Sequence, residues 1–213
     1  MNGRCPLPAR ASFRDLLRDL FGRPVTVRPG PAQELDAKRM AYLAAYRFDD
    51  GSPAAVAVTD QTLSVAAAAA IAMMPPKETF EQVESEGGLD EELVEFLHEV
   101  VNITAKLLNS PTTAHVVLRQ LDAVPGEVSA DIAEVALNPS VRHDWQVGVE
   151  GYGEGSITFL SGPGVRERGD SGSGAAEGCR LVRAGAGCVP ARGRSAGWLG
   201  DPAQRADHRC LSG

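Results

Sequence analysis

Apolar residues keep regular time from about residue 12 to residue 160 and lose it beyond. Phe13, Leu16, Leu17, Leu20 and Phe21 recur at helical spacing. Ser12 stands at the N-cap position with Asp15 three residues later, and Gly22 closes the segment. "PVTVRP" (24–29) then reads as a short strand. "RMAYLAAYRF" (39–48) and "PAAVAVTD" (53–60) flank "DDGS", where Asp50-Gly51 is a turn dipeptide, so the pattern predicts a hairpin. Asp60 is placed to cap an alanine-rich helix running to Met74. Pro76 suits the first position of a following helix, "PKETFEQVESE", which ends at Gly87-Gly88. A long helix is expected from Leu89 to about Asn109, and then a strand, "TAHVVLRQL" (113–121). Ser129 should cap a short helix through Leu137. "HDWQVGVEG" and "GSITFL" (155–160) make a second hairpin across "GYGEG".

Hairpins interleaved with helices predict an α+β fold, an antiparallel sheet packed against long helices, and not a doubly wound nucleotide-binding sheet. "GYGEG" is not a phosphate loop. Such a loop needs a helix N-terminus behind its glycines to present N–H groups and the helix dipole, and here "SITFL" follows at strand spacing.

Composition divides the chain. From Ser161 to Gly213 there are 12 of the 23 glycines, with eight arginines against five carboxylates, a net charge of +3. Residues 1–160 hold 13 basic and 23 acidic side chains, a net −10. The large apolar residues of the tail are few and follow no period, so this segment cannot bury enough surface to offset the entropy of ordering it. The expected organisation is a flexible N-terminus (1–11), one folded domain (12–160) and a disordered Gly/Arg/Ala-rich tail (161–213). Lysine-free, arginine- and glycine-heavy text is also what a GC-rich gene gives out of frame, a second account of the tail. "RGD" at 168–170 is expected from chance in such text.

Several function classes drop out. No basic cluster suggests nucleic acid. The longest apolar run, "LSVAAAAAIAMM" (63–74), is too short to span a bilayer and is closed by Pro75-Pro76. No apolar stretch follows Arg4 and Arg10 as a signal peptide requires, and a cytoplasmic location is expected. Cys5, Cys179, Cys188 and Cys210 form no Cys-x-x-Cys pair and have no histidine at zinc spacing. They read as free thiols in poorly ordered segments. His98, His115 and His143 lie on separate elements without a nucleophile motif.

The long helix holds the one unusual pattern. Leu93, Phe96, Leu97, Val100, Val101, Leu107 and Leu108 form its apolar stripe. Glu92, Glu95, Glu99, Asn102 and Lys106 recur at intervals of three and four residues and so share an exposed face. Spacing alone makes this a solvated face, with Glu99 and Asn102 one turn apart.

Glu99-Val100-Val101-Asn102 on a long helix, after a hairpin and an alanine/methionine-rich helix and before a strand and a final hairpin, resembles the CheX-like branch of the CheC/CheX/FliY chemotaxis phosphatases. The resemblance covers about residues 12–160. It implies a phosphorylated response-regulator receiver domain as substrate and partner, with Asn102 orienting the attacking water and Glu99 pairing with the partner. Glu95 and Lys106 would flank the docking surface. No intrinsic cofactor is implied, because the Mg²⁺ belongs to the receiver. Lys106 stands where the family often has glycine. A homodimer is expected by resemblance, and because short antiparallel strands leave edges that need cover. The alternative is a non-catalytic dimeric interaction module that kept the fold and lost phosphatase activity.

Limited proteolysis is expected to leave a resistant fragment ending near Leu160. Protection reaching Gly213 would contradict the reading of the tail.

Overall fold

The two hairpins close at turns that need left-handed backbone. Gly51 (φ +83°) turns the first, and Gly151 (φ +81°) and Gly153 (φ +100°) turn the second. In this computed structural model, which describes residues 5–33, 39–111 and 113–162 and the backbone of 179–180, the hairpins are β2 (Ala41–Phe48) with β3 (Pro53–Asp60), and β6 (Val141–Val149) with β7 (Gly153–Ser161). β3 pairs with β7, setting Val56 opposite Leu160 and Val58 opposite Thr158. β1 (Val25–Pro29) adds outside β6, and β4 (Val116–Val124) outside β2. The result is a six-stranded antiparallel sheet in the order β1-β6-β7-β3-β2-β4.

One sheet face carries the long helices α1 (Arg10–Phe21), α2 (Gln61–Ala72) and α4 (Glu91–Thr104), with α3 (Pro76–Glu86) packed on α2. Phe13, Leu17 and Phe21 of α1 are buried, and Phe13 meets Trp145 and Phe159 at ring-centroid distances of 5.4 and 5.2 Å. α2 has no polar face: every residue from Leu63 to Ala70 is buried. Asp60 fixes its start, Oδ1 accepting from the Leu63 N–H (2.7 Å) and Oδ2 from the Ser156 N–H of β7 (2.8 Å). The approach is so close that a Cβ on Gly155 would lie 2.5 Å from the Leu63 nitrogen.

α5 (Ala130–Leu137) covers part of the opposite face through Ile132, Ala133, Val135 and Ala136, which pack with Leu43, Val56, Val58 and Leu160. Arg47 at the end of β2 anchors it, donating to Asp131 (2.5 and 3.0 Å) and to the Ser129 hydroxyl (3.1 Å).

The order of elements and the α+β class follow the sequence reading, and four local expectations are corrected. α1 begins at Arg10 with Ala9 at the N-cap and no side-chain cap; Asp15 pairs with Arg14 and Arg18, so the box proposed for Ser12 does not form. Cys5 is 5% exposed and Pro8 is buried, so the segment read as flexible packs against the core from Cys5 onward. Ser129 stands at the N-cap of α5, but its side chain makes no cap bond and receives Arg47. β4 starts at Val116, because the Asn109 side chain bonds both the N–H and the C=O of that residue (2.8 Å each). Ser161, read as the first residue of the tail, is buried and ends β7, and the Gly162 N–H donates to the Ala54 carbonyl. The rest of the tail lies outside the described residues, except that the backbone of β8 (Cys179–Arg180) pairs with β5 (Glu127–Val128). Among the described residues no helix is long and apolar enough to cross a membrane.

The Arg47 guanidinium holds the Asp131 carboxyl down to about 2, against an ordinary 3.8. A depressed folded-state pKa gives stability that is present above the unfolded value and lost as pH falls through the folded one. Asp131→Asn is therefore expected to cost about 0.5–1 kcal/mol at pH 7, a figure reduced for solvent screening of this half-exposed carboxylate, and nothing near pH 2. Urea unfolding at the two pH values measures it.

Candidate functional site

α4 is built from both ends. At its start Asp90 caps the Leu93 N–H through Oδ1 (2.8 Å), while Oδ2 accepts from Gln82 of α3 (2.9 Å). Glu91 and Glu92 fill the first turn, where negative charge complements the helix dipole. Leu93, Leu97, Val100, Val101 and Thr104 face the core. Leu93 and Leu97, each 1% exposed, contribute about 2 kcal/mol apiece relative to exposed side chains.

Two tyrosines of β2, four residues apart and so on one face of the strand, tie this helix to the sheet. The Tyr42 hydroxyl accepts from the Leu89 N–H just ahead of α4 (2.8 Å). The Tyr46 hydroxyl donates to the Val101 carbonyl near its other end (2.8 Å). Tyr46 is fully buried, and burial pushes its phenol far above the usual range, so it stays a neutral donor. A buried Tyr hydroxyl needs a partner. That rule was the one sequence signal that could have marked these residues, and the sequence reading did not use it.

The helix does not continue unbroken to Asn109 as expected. After Thr104 it tightens into a 3₁₀ turn, Ala105–Leu107, and the N–H groups that close the helix end reach Asn102 O and Ile103 O. The Asn109 side chain then accepts and donates at the start of β4, carrying the chain back to the sheet edge.

The outer face is as the spacing predicts. Glu92, Glu95, Glu99, Asn102 and Lys106 are all exposed. Among the described residues, the side chains of Glu95, Glu99, Asn102 and Lys106 make no hydrogen bond or ion pair, and none joins Glu99 to Asn102. A carboxylate and a carboxamide therefore stand free, one turn apart, on a helix fixed from behind. Lys106 is exposed as well and lies in the 3₁₀ turn that follows α4.

Other candidates do not converge. His98 is exposed on α4, His115 Nδ1 lies 3.0 Å from Asp49 before β4, and His143 stacks near Trp145 on β6. Cys5 is a buried free thiol, which burial raises to about 12; the other three cysteine side chains lie outside the described residues. Among the described residues no group of three or more His, Cys, Asp or Glu side chains is placed to hold a metal.

Fold and site together define an α+β domain that presents an acidic helix with a free Glu-x-x-Asn pair. Solved structures similar to the chain include FliY from Thermotoga maritima (14% identity, 72% of this chain and 84% of that one, TM-score 0.45). CheX from Vibrio vulnificus is another (11%, 75% and 97%, 0.44), as is the FliM middle domain from H. pylori (9%, 71% and 84%, 0.43). No family model matches the chain, and no curated protein matches it. At these identities the similarity concerns the course of the chain and adds nothing about activity.

Because the Asn102 carboxamide has no partner to lose, Asn102→Ala should change unfolding free energy by no more than about 0.5 kcal/mol in a denaturant titration.

Proposed function

We propose that the outer face of α4 acts on a phosphorylated receiver domain, hydrolysing its aspartyl phosphate. The carrying observation is the free Glu99–Asn102 pair on a helix held rigidly at both ends. Loss of an aspartyl phosphoryl group needs little covalent help from a second protein. It needs a water held in line with the breaking P–O bond and water excluded elsewhere. The Asn102 carboxamide oxygen can accept from that water and aim its lone pair at phosphorus. The new P–O bond forms as the bond to the receiver's aspartate breaks, giving a carboxylate and inorganic phosphate. The Mg²⁺ that neutralises phosphoryl charge would be the receiver's own, and the chain supplies no step through it.

Glu99 supplies partner attraction. With Glu92 and Glu95 it makes the outer face of α4 acidic, complementary to a lysine beside a receiver's phosphorylation site. Glu95 is placed to extend that contact, and Lys106 borders it. A homodimer belongs to the same proposal, with β4 and β1 as the outermost strands of the sheet.

The test is the decay of a phosphorylated receiver with and without this protein. Wild type is expected to accelerate decay, Asn102→Ala to lose roughly a hundredfold in rate, and Glu99→Ala to weaken partner affinity, most at low salt. Binding without acceleration would favour the interaction module. Equal acceleration by wild type and Asn102→Ala would remove Asn102 from the chemistry.

A further inference from the structure

The Val101 carbonyl is the turning point of α4. In a continuous α-helix it would accept from the Ala105 N–H, four residues on. Here the N–H groups that close the helix end reach Asn102 O and Ile103 O, and the Val101 carbonyl accepts from the buried Tyr46 hydroxyl of the sheet. Thr104 (φ −61°, ψ −26°) and Ala105 (φ −54°, ψ −27°) have the dihedrals of a tightened turn. A 3₁₀ turn advances about 120° per residue against about 100° for an α-helix. Two such steps lie between Asn102 and Lys106. They carry the lysine roughly 40° further round the axis than an unbroken helix would. An unbroken helix would stack Lys106 directly beside Asn102, four residues apart, where a long cationic side chain covers the carboxamide.

We infer that Tyr46 is a positioning residue for the Asn102 site: by taking the Val101 carbonyl, its hydroxyl turns the chain after Asn102 and keeps Lys106 clear of the carboxamide. This rests on the reading of Asn102 as the water-orienting group. It gives a buried strand residue a specific task in an exposed helix site.

The experiment has a structural arm and a kinetic arm, both on the full chain. In the wild type, NMR should show no scalar coupling across an Ala105 N–H to Val101 C=O hydrogen bond. Detecting that coupling would overturn the proposal without any variant. In Tyr46→Phe the carbonyl is released, and the coupling should appear together with slower amide exchange at Ala105. Unchanged shifts and exchange over 105–107 would overturn it.

In the decay assay, Tyr46→Phe should lower the maximal rate about tenfold while leaving the receiver concentration at half-maximum nearly unchanged. Adding Lys106→Ala should recover most of that loss. A general weakening of the fold would not be repaired by removing a surface lysine. Failure of the double variant to recover, in a protein that circular dichroism shows to be folded, would overturn the role of Lys106 and with it the proposal. Wild type without activity overturns the functional reading itself, and the role assigned to Tyr46 falls with it. Active wild type beside an equally active Tyr46→Phe overturns the positioning role alone.

Discussion

Everything on the helix side of the sheet is arranged around α2, which has no face to give to water. A helix that is apolar all round must be enclosed, and here the enclosure is supplied by the sheet, α1, α3 and α4. Six of the eight residues from Leu63 to Ala70 are small: Ser64 and the five alanines. Small side chains let neighbouring backbones come near, and the crowding at Gly155 records how near. The single hydroxyl in this stretch is accounted for: Ser64 Oγ lies 2.7 Å from the Asp60 carbonyl and 2.8 Å from Thr59 Oγ1. A larger residue in place of one of these alanines would push α4 outward, and the cost would come from overpacking a dense core.

That close packing is what brings a strand hydroxyl within reach of a helix carbonyl. Tyr46 spans from β2 to Val101 only because α4 lies against the sheet beside α2. The hydrogen bond in turn sets where the α-helix stops. Packing, hydrogen bonding and the exposed chemistry therefore form one chain of cause: small residues in α2, a near helix, a captured carbonyl, a tightened turn, and a carboxamide with open space around it. Charge acts more weakly. The acidic side chains of α4 are solvated, and exposed charges of this kind add little to the stability of the fold.

The two sheet faces divide the work. One carries the continuous core and the site. The other is closed only in part, by an eight-residue helix clipped to Arg47 through Asp131 and Ser129. This clip links α5 to the hairpin end of β2, the strand whose tyrosines hold α4. β2 is thus tied to structure on both of its faces.

The order of elements was legible in the residues because apolar period, turn dipeptides and caps are local. Asp50-Gly51, Asp60, Pro76 and Gly87 each mark a boundary within a few residues of themselves. The exposure of Glu99 and Asn102 was legible for the same reason, since helical spacing assigns a face without knowledge of what lies behind it. What no local pattern carries is which strand meets which. The β3–β7 pairing joins two hairpins about a hundred residues apart, and β4 and β1 add to the outer strands of those hairpins, β2 and β6. The burial of Cys5 and the end of α4 were misread because distant partners decide them: Leu108 for the thiol, Tyr46 for the carbonyl. Sequence by itself determined the elements and the face that carries the candidate pair. The tertiary structure alone decided how that face ends, because a helix yields its own hydrogen bond only when a competing donor is brought to it from another part of the chain.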